Sequence, residues 1–406
     1  MPSTDERLSE RCDPATRFVM ASLAAAGPSR PRAFAALTDR DWSQVDTIAD
    51  RHGVAAIVVD LLATDGSVPA APRDALRARA QAQAARALQG VVELIRVTRA
   101  LDDAGIQTVS LKGPLFSQWL YGAPGRRRFA DLDILVTPND RDRAFAVLNR
   151  LGYELPTGMS PRAAGVIYRA LGAWPLVRPG VLPIDLHWRL AHARFAAPLT
   201  PSQVFVESST VEIGGARIRT PSATHVALLT LLHAAKHVWC TLEQAAAIAA
   251  LMRRRDVDWT DVRALAHRAS AWNACATGLR LACEILGASR PSALGNDWPA
   301  ATDRLCREAH AALAKPAGQL PDRWDERRVH RASFDRWRER VLYDVSRTLA
   351  PTAAEWQWWP LPDPLVRLYG PLRVMRLGAA ALRGRVDADA PHHSAVSAQP
   401  DAGAWS

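Results

Sequence analysis

Apolar residues recur along this chain with two different periods, and the change of period marks its organisation. From Asp41 to Thr64, "DWSQVDTIADRHGVAAIVVDLLAT", they fall at helical spacing with a break at His52–Gly53, which predicts two short helices. After the Pro69/Pro72 turn, "RDALRARAQAQAARALQGVVELIRVTRALDDAG" keeps that spacing, predicting one long helix with Gly105 as its C-cap. The period then shortens to two. "IQTVSL" (106–111) is a short β-rich run, "KGPLFSQWLYG" reads as a turn opening a helix, and "FADLDILV" (129–136) alternates as a strand does. "TPNDRDRAFAVLNRLGY" predicts a helix with Thr137 as N-cap, Pro138 in the first turn and Gly152 at the end. "VLPIDLHWRL" (181–190) predicts a further strand, and "VEIGGARIRTP" (211–221) a hairpin about a Gly-Gly turn. From Ser222 helical spacing returns, starting with "SATHVALLTLLHAAKHVWCTLEQAAAIAALMRRR".

The expected class is α+β: a mixed β-sheet flanked by helices, with helical N-terminal and C-terminal parts. The expected divisions are a loosely ordered 1–30, a helical 31–105, an α/β core at 106–221, a helical 222–314, a Trp-rich basic segment at 315–384 and a disordered tail at 385–406. In the Trp-rich segment, Trp356, Trp358 and Trp359 precede a basic apolar helix. Such a stretch can grip an acceptor, a partner or a membrane surface, but aromatic residues more often cover a core, and packing onto the main body is the expectation.

Composition adds limits. A chain of 406 residues, 48% apolar and 23% charged, is ordinary for a soluble globular protein of two or three domains. The formal net charge of +10 admits anionic partners such as nucleotides, nucleic acid or acidic surfaces. An Ala/Arg/Pro-rich composition also produces that excess, so charge alone assigns no partner. The five cysteines have no C-x-x-C spacing, which indicates neither a disulfide framework nor a zinc site and fits a cytoplasmic protein. The N-terminus is polar and acidic, unlike a signal peptide, and no apolar run of about 18 residues is present to span a membrane.

The chemistry lies in the acids. A period of two puts Asp131 and Asp133 on one face of their strand, about 6–7 Å apart at the Cα atoms. Like charges that close repel, and burial costs each its solvation. A divalent cation removes both penalties, and Mg²⁺ favours one or two carboxylates with water and substrate phosphates. A third acid completes a two-metal site; Asp185, alone among apolar neighbours in its strand, is the candidate. Upstream, Lys112–Gly113 stands between a strand and a helix. Glycine permits close backbone approach, a helix N-terminus attracts phosphate, and Lys112 adds a mobile positive charge. Arg127 or Arg128 can meet phosphate oxygens or the acceptor. Bland readings exist for each piece: a water-facing acid pair, a turn glycine, a solvated arginine loop, a hydrogen-bonded core histidine at His187. Each explains one piece, whereas a nucleotide site explains their order.

That order resembles the nucleotidyltransferase superfamily, with its DNA polymerase β-like fold. More narrowly, it is similar to an uncharacterised bacterial nucleotidyltransferase family with "LKG" (111–113), "R…D-x-D-x-x-V" (Arg127, then 131–136) and "D-L-H-W" (185–188) blocks. "ADRHGVA", "LGY" and "HAAKHVW" also match, and the likeness covers about residues 40 to 260. The resemblance implies a nucleotidyltransferase-fold sheet in which Asp131 and Asp133 ligate Mg²⁺. Asp185 would bind a second ion and help deprotonate the acceptor hydroxyl. It implies transfer of a nucleoside monophosphate from ATP or another NTP to a small molecule, natural product or RNA, releasing pyrophosphate. Two departures stand out. Gly113 is followed by Pro114, which offers no amide to phosphate, so Lys112 or Ser117 would have to substitute. The acid expected about eight positions after the histidine block is absent near Ala247, with Glu243 nearby. His187, His233 and His237 are candidate acceptor-side or helper residues; His233 and His237 share a helical face without a third zinc ligand. The alternatives are a degenerate, non-catalytic nucleotide-binding or scaffold protein, which the Gly-Pro step favours and three retained acids oppose, and an RNA-binding protein acting by charge alone.

Overall fold

The central sheet contains β1 (Val109–Ser110), β2 (Leu132–Leu135), β3 (Ala173–Leu176) and β4 (Ile184–His187), in the spatial order β1-β2-β4-β3. The computed structural model describes residues 12–24, 37–62, 68–190, 199–314 and 323–382. β1 runs antiparallel to β2 and β3 antiparallel to β4, while β2 and β4 are parallel. A parallel pair needs a crossover; here it is residues 136–183, containing helices Arg141–Arg150 and Pro161–Ile167 and strand β3.

All of β2 is buried, as befits a central strand covered on both faces. Leu132 and Ile134, with Ile184 and Leu186 of β4, join one apolar core against Val91, Leu94, Val97 and Leu101 of the long helix Ala70–Asp103. Leu135, Val109 and Leu111 belong to a second core, built from the helices Asp39–Arg51, Ala223–Lys236, Leu242–Met252 and Trp272–Leu286. The sheet thus divides two cores. Asp133, in step with Leu135, faces the second.

The long helix ends as its sequence predicts. Gly105 adopts φ +70° and its N–H donates to Asp102 O at 2.8 Å. The break at His52–Gly53 separates Asp39–Arg51 from Ala55–Leu62. The hairpin of β5 (Ser209–Ile213) and β6 (Ala216–Thr220) turns on Gly214 and Gly215, both at positive φ.

Three expectations change, and one strand was not foreseen. The N-terminus was expected to be loosely ordered to about residue 30, yet Pro14–Ala24 is a helix that buries Phe18 against Trp42, ring centroids 4.9 Å apart. Thr137 does not cap the helix expected of it. Its hydroxyl and the Asp140 carboxylate close a turn, and the helix begins at Arg141. β3 escapes the sequence pattern because Pro175 sits in it, and an edge strand tolerates a proline. In the Trp-rich segment Trp356 packs against Tyr369, but Trp358 and Trp359 are exposed instead of covering the body. The expected tail at 385–406 lies outside the described residues.

Close approach of the long helix to the loop before β2 needs Gly90. A Cβ there would stand 2.8 Å from Phe129 Cε2 and 2.9 Å from Leu182 Cδ1. Gly90→Leu is expected to destabilise the fold by about 1–3 kcal/mol, measured by urea unfolding, because overpacking outweighs better helix propensity.

Candidate active site

Parallel pairing sets the site. Asp133 is in register with Asp185, so their carboxylates rise from adjacent strands on one face, with backbones about 4.8 Å apart. His187, two residues along β4, shares that face, and its Nε2–H donates to Asp133 Oδ1 at 3.0 Å. One ligand atom from each of Asp133, Asp185 and His187 lies within 4.8 Å of the others. Among the described residues no other group has such metal-ligand spacing. Asp131 stands just before β2, outside that trio but close enough to feel both aspartates.

The charges divide unequally. Burial, then the charges of Asp133 and Asp185, push the Asp131 carboxyl up to about 7. Burial also raises Asp185, with Asp133 adding to it. Burial works against ionisation of Asp133 too, but the Lys112 ammonium, 3.6 Å from Oδ1, and the His187 hydrogen bond overcome it and hold this carboxylate far below the usual range. Burial and the Asp185 charge push the Tyr168 phenol up to about 12.

Lys112 leads into the helix Gly113–Tyr121 through Gly113, at φ +69°. A Cβ on Gly113 would meet Asp131 O at an ordinary 3.5 Å, so the glycine answers to backbone conformation more than to space. Pro114 occupies the first turn. Ser117 is buried, its hydroxyl donating to Ala123 O and accepting from Arg127 N–H, which fixes the loop before the acids.

The two arginines part company. Arg127 turns inward, its Nε 2.7 Å from Glu243 Oε1 and its guanidinium over the Phe116 ring at 5.3 Å. Arg128 is exposed and reaches Asp50 at 3.6 Å. His233 lines a small cavity with Lys112, Phe116 and Arg127, and its ring packs against His237 at a tilt, 4.6 Å between centroids. Burial first, then Lys112, His237, Arg127 and Lys236, keep its imidazole neutral.

Lys236 was missed by sequence reasoning. Its charge acts on Asp131, Asp133 and Asp185 alike. The signal was available: it sits three residues after His233, within "HAAKHVW". Its carbonyl accepts from His330 Nε2–H at 3.0 Å, and the chain beyond it turns sharply through Val238 and Trp239, both at positive φ. A β-branched residue there is strained, a condition often found beside active sites.

A family profile described as "Uncharacterised nucleotidyltransferase" matches residues 38–287. The chain belongs to this family. No curated protein matches it. Among solved structures it is similar to the solution structure of the antibiotic-resistance factor ANT(2'')-Ia, at 13% identity and a TM-score of 0.33, over 44% of this chain and 90% of that one. The matched span of the nucleotidyltransferase takes in the whole sheet, the three aspartates and the helix that ends at Lys236, and stops short of residues 288–382.

A divalent cation suits this donor set. Three carboxylates offer hard oxygens, and positive charge among them relieves the repulsion that raises Asp131 and Asp185. His187 already bonds one oxygen of Asp133, an arrangement that would orient this carboxylate toward a bound ion.

Folding of the metal-free nucleotidyltransferase is expected to weaken as pH rises from 3.8, the ordinary value for aspartate, to about 7. A carboxyl raised by folding is neutral and harmless below that window and must ionise against its surroundings above it. Asp131→Asn is expected to flatten this slope and to stabilise the protein above pH 7 by about 2–4 kcal/mol. Thermal unfolding in chelator across the pH range reads it; a variant with an unchanged slope would refute the assignment.

Proposed function

We propose that this nucleotidyltransferase moves a nucleoside monophosphate from an NTP to a hydroxyl-bearing acceptor, with release of pyrophosphate. The single observation that carries the reading is the register of Asp133 against Asp185, with His187 holding the first. Asp131, Asp133 and Asp185 would hold Mg²⁺, two ions by the pattern of the superfamily. When bound, Mg²⁺ supplies charge neutralisation at the reacting phosphate and eases ionisation of the attacking hydroxyl.

The chain's own groups divide the remaining work. The acceptor oxygen attacks the α-phosphorus, the bond to the β-phosphate oxygen breaks, and Asp185 takes the hydroxyl proton. Asp133 stays ionised because Lys112 and His187 stabilise its charge. Lys112 and Lys236 supply positive charge for the triphosphate and the departing pyrophosphate. Gly113 admits the phosphates to the backbone, and Pro114 leaves that approach one amide poorer. Arg127 acts through Glu243 as a positioning residue, with Ser117 bracketing its loop. Arg128, at the surface and paired with Asp50, would have to release that partner to reach the acceptor side. His233 shapes the wall next to Lys112.

A cytoplasmic setting, where NTP is supplied and thiols stay reduced, goes with this reading, and the five cysteines are free. No helix among the described residues is long and apolar enough to cross a membrane.

Calorimetry with ATP, CTP, GTP and UTP is expected to show Mg²⁺-dependent binding that Asp133→Ala and Asp185→Ala abolish. His187→Ala is expected to lower turnover about 10–100-fold, the usual cost of losing the group that orients a metal ligand. Lys236→Ala is expected to raise KM for the NTP about tenfold or more, as loss of a charge-assisted phosphate contact does. Mass spectrometry of extract incubated with labelled NTP then identifies the acceptor, whether small molecule, natural product or RNA. NTP binding that survives both aspartate substitutions, with no labelled product, would leave the degenerate scaffold that Pro114 favours.

A further inference from the structure

Beyond the span shared with the family, the surface changes character. Of the large apolar side chains exposed among the described residues, all but Leu88, Val92 and Val206 lie between Trp337 and Leu382. On the helix Trp337–Leu349 they form a stripe: Trp337, Val341, Val345 and Leu349 recur every four residues, with Leu342 beside them. Trp337 is 68% exposed. The opposite side of the helix is already occupied, with Tyr343 buried against His330 and Phe334, while Asp344, at the edge of the stripe, is paired with Arg327 and Arg331. The stripe is therefore the helix's outer face. Trp358 at 53% and Trp359 at 59% continue the apolar exposure, followed by Leu365, Leu368, Val374 and Met375.

Charge sorts the same way. Glu355 is fully buried, held by Arg376, Arg373 and the Thr352 cap. Asp344 is paired, Asp363 meets Ser160, and Glu339 is half-buried. Arg336, Arg338 and Arg367 are exposed and form no salt bridge among the described residues. Among the described residues of this segment the exposed side chains are mostly apolar or cationic, and Asp363 is the one exposed acid.

We propose that this face, residues 336–382, docks the protein peripherally on an anionic lipid surface. A helix with exposed tryptophan and aliphatic side chains and arginines at its N-terminal end can lie in the plane of a bilayer interface, the apolar stripe among acyl chains and the guanidinium groups at lipid phosphates. Tryptophan is favoured at that depth because its ring is apolar and its N–H is polar. A second copy of this chain is a poorer occupant. Two-fold contact sets the same patch against itself, and its three exposed arginines, Arg336, Arg338 and Arg367, outnumber Asp363, the one exposed acid of this segment among the described residues.

The test is flotation of the full chain with vesicles of phosphatidylcholine alone or mixed with phosphatidylglycerol. Expected is binding to the mixed vesicles only, falling as salt rises. The Trp358→Ala/Trp359→Ala pair and the Arg336→Glu/Arg338→Glu/Arg367→Glu triple are each expected to weaken it about tenfold or more, with thermal unfolding unchanged because these side chains are exposed. Three outcomes would overturn the proposal: no flotation with the mixed vesicles, equal binding by wild type and both variants, or a lipid-free dimer in sedimentation velocity that Trp337→Ala converts to monomer.

Discussion

Two carboxylates side by side on parallel strands, Asp133 buried and Asp185 half-buried, are the constraint to which the rest of the structure answers. Asp133 and Asp185 lose water and repel one another, and no arrangement of apolar neighbours offsets that. The opposing groups come from separate parts of the chain: the Lys112 ammonium from the turn after β1, the His187 hydrogen bond from β4 and Lys236 from the end of the helix Ala223–Lys236. The sheet must therefore pack against the helical C-terminal part for its own acids to be tolerable. This explains why the face of β2 that bears Asp133 turns toward the helical core and the face that bears Ile134 toward the long helix.

A second charge pair fixes that packing. Arg127 and Glu243 are both buried, and they join the loop before the acids to the start of the helix Leu242–Met252. That same helix start is held by the N-terminal part, since Leu242 N–H donates to His52 Nδ1 and Glu243 N–H to His52 O. Three regions of the chain thus meet within a few residues of Glu243. A buried ion pair adds little net stability, but removing one member leaves an uncompensated charge worth about 3–5 kcal/mol. Its contribution here is geometric, because it sets where the loop carrying Asp131 ends.

What was legible in the sequence was what is local. Alternation around Asp133, a lone acid at Asp185, the glycine after Lys112 and the breaks at Gly53 and Gly105 all act through neighbours within a few residues. Adjacency of the strands bearing Asp133 and Asp185 followed from pattern order. Contacts that only tertiary structure decides were not legible. An arginine in "RRRF" reads the same whether it faces phosphate or turns inward, and the partner of Arg127 lies 116 residues away. Lys236 looks like any lysine near a helix end until the sheet is placed beneath it. Pro175 hides β3 because its tolerance depends on β3 being an edge, a property of the sheet and not of the segment.

The C-terminal segment connects to this site in an equally specific way. Tyr343, on the inner side of the helix whose outer stripe is exposed, donates its hydroxyl hydrogen to His330 Nδ1 at 3.2 Å. His330, fully buried, donates from Nε2 to the carbonyl of Lys236. The tautomer is thereby fixed: with a carbonyl on Nε2 and a hydroxyl on Nδ1, a neutral ring satisfies both partners. An apolar replacement of His330 would strand the Lys236 carbonyl at a helix end, next to two residues already held at unfavourable φ. The ammonium that faces the three acids is thus held in place by a segment outside the shared family span. The same segment holds the apolar, cationic face at a set orientation to the site. The positive charge beside the aspartates thus comes from within the matched span, while part of its backbone support comes from residues beyond it.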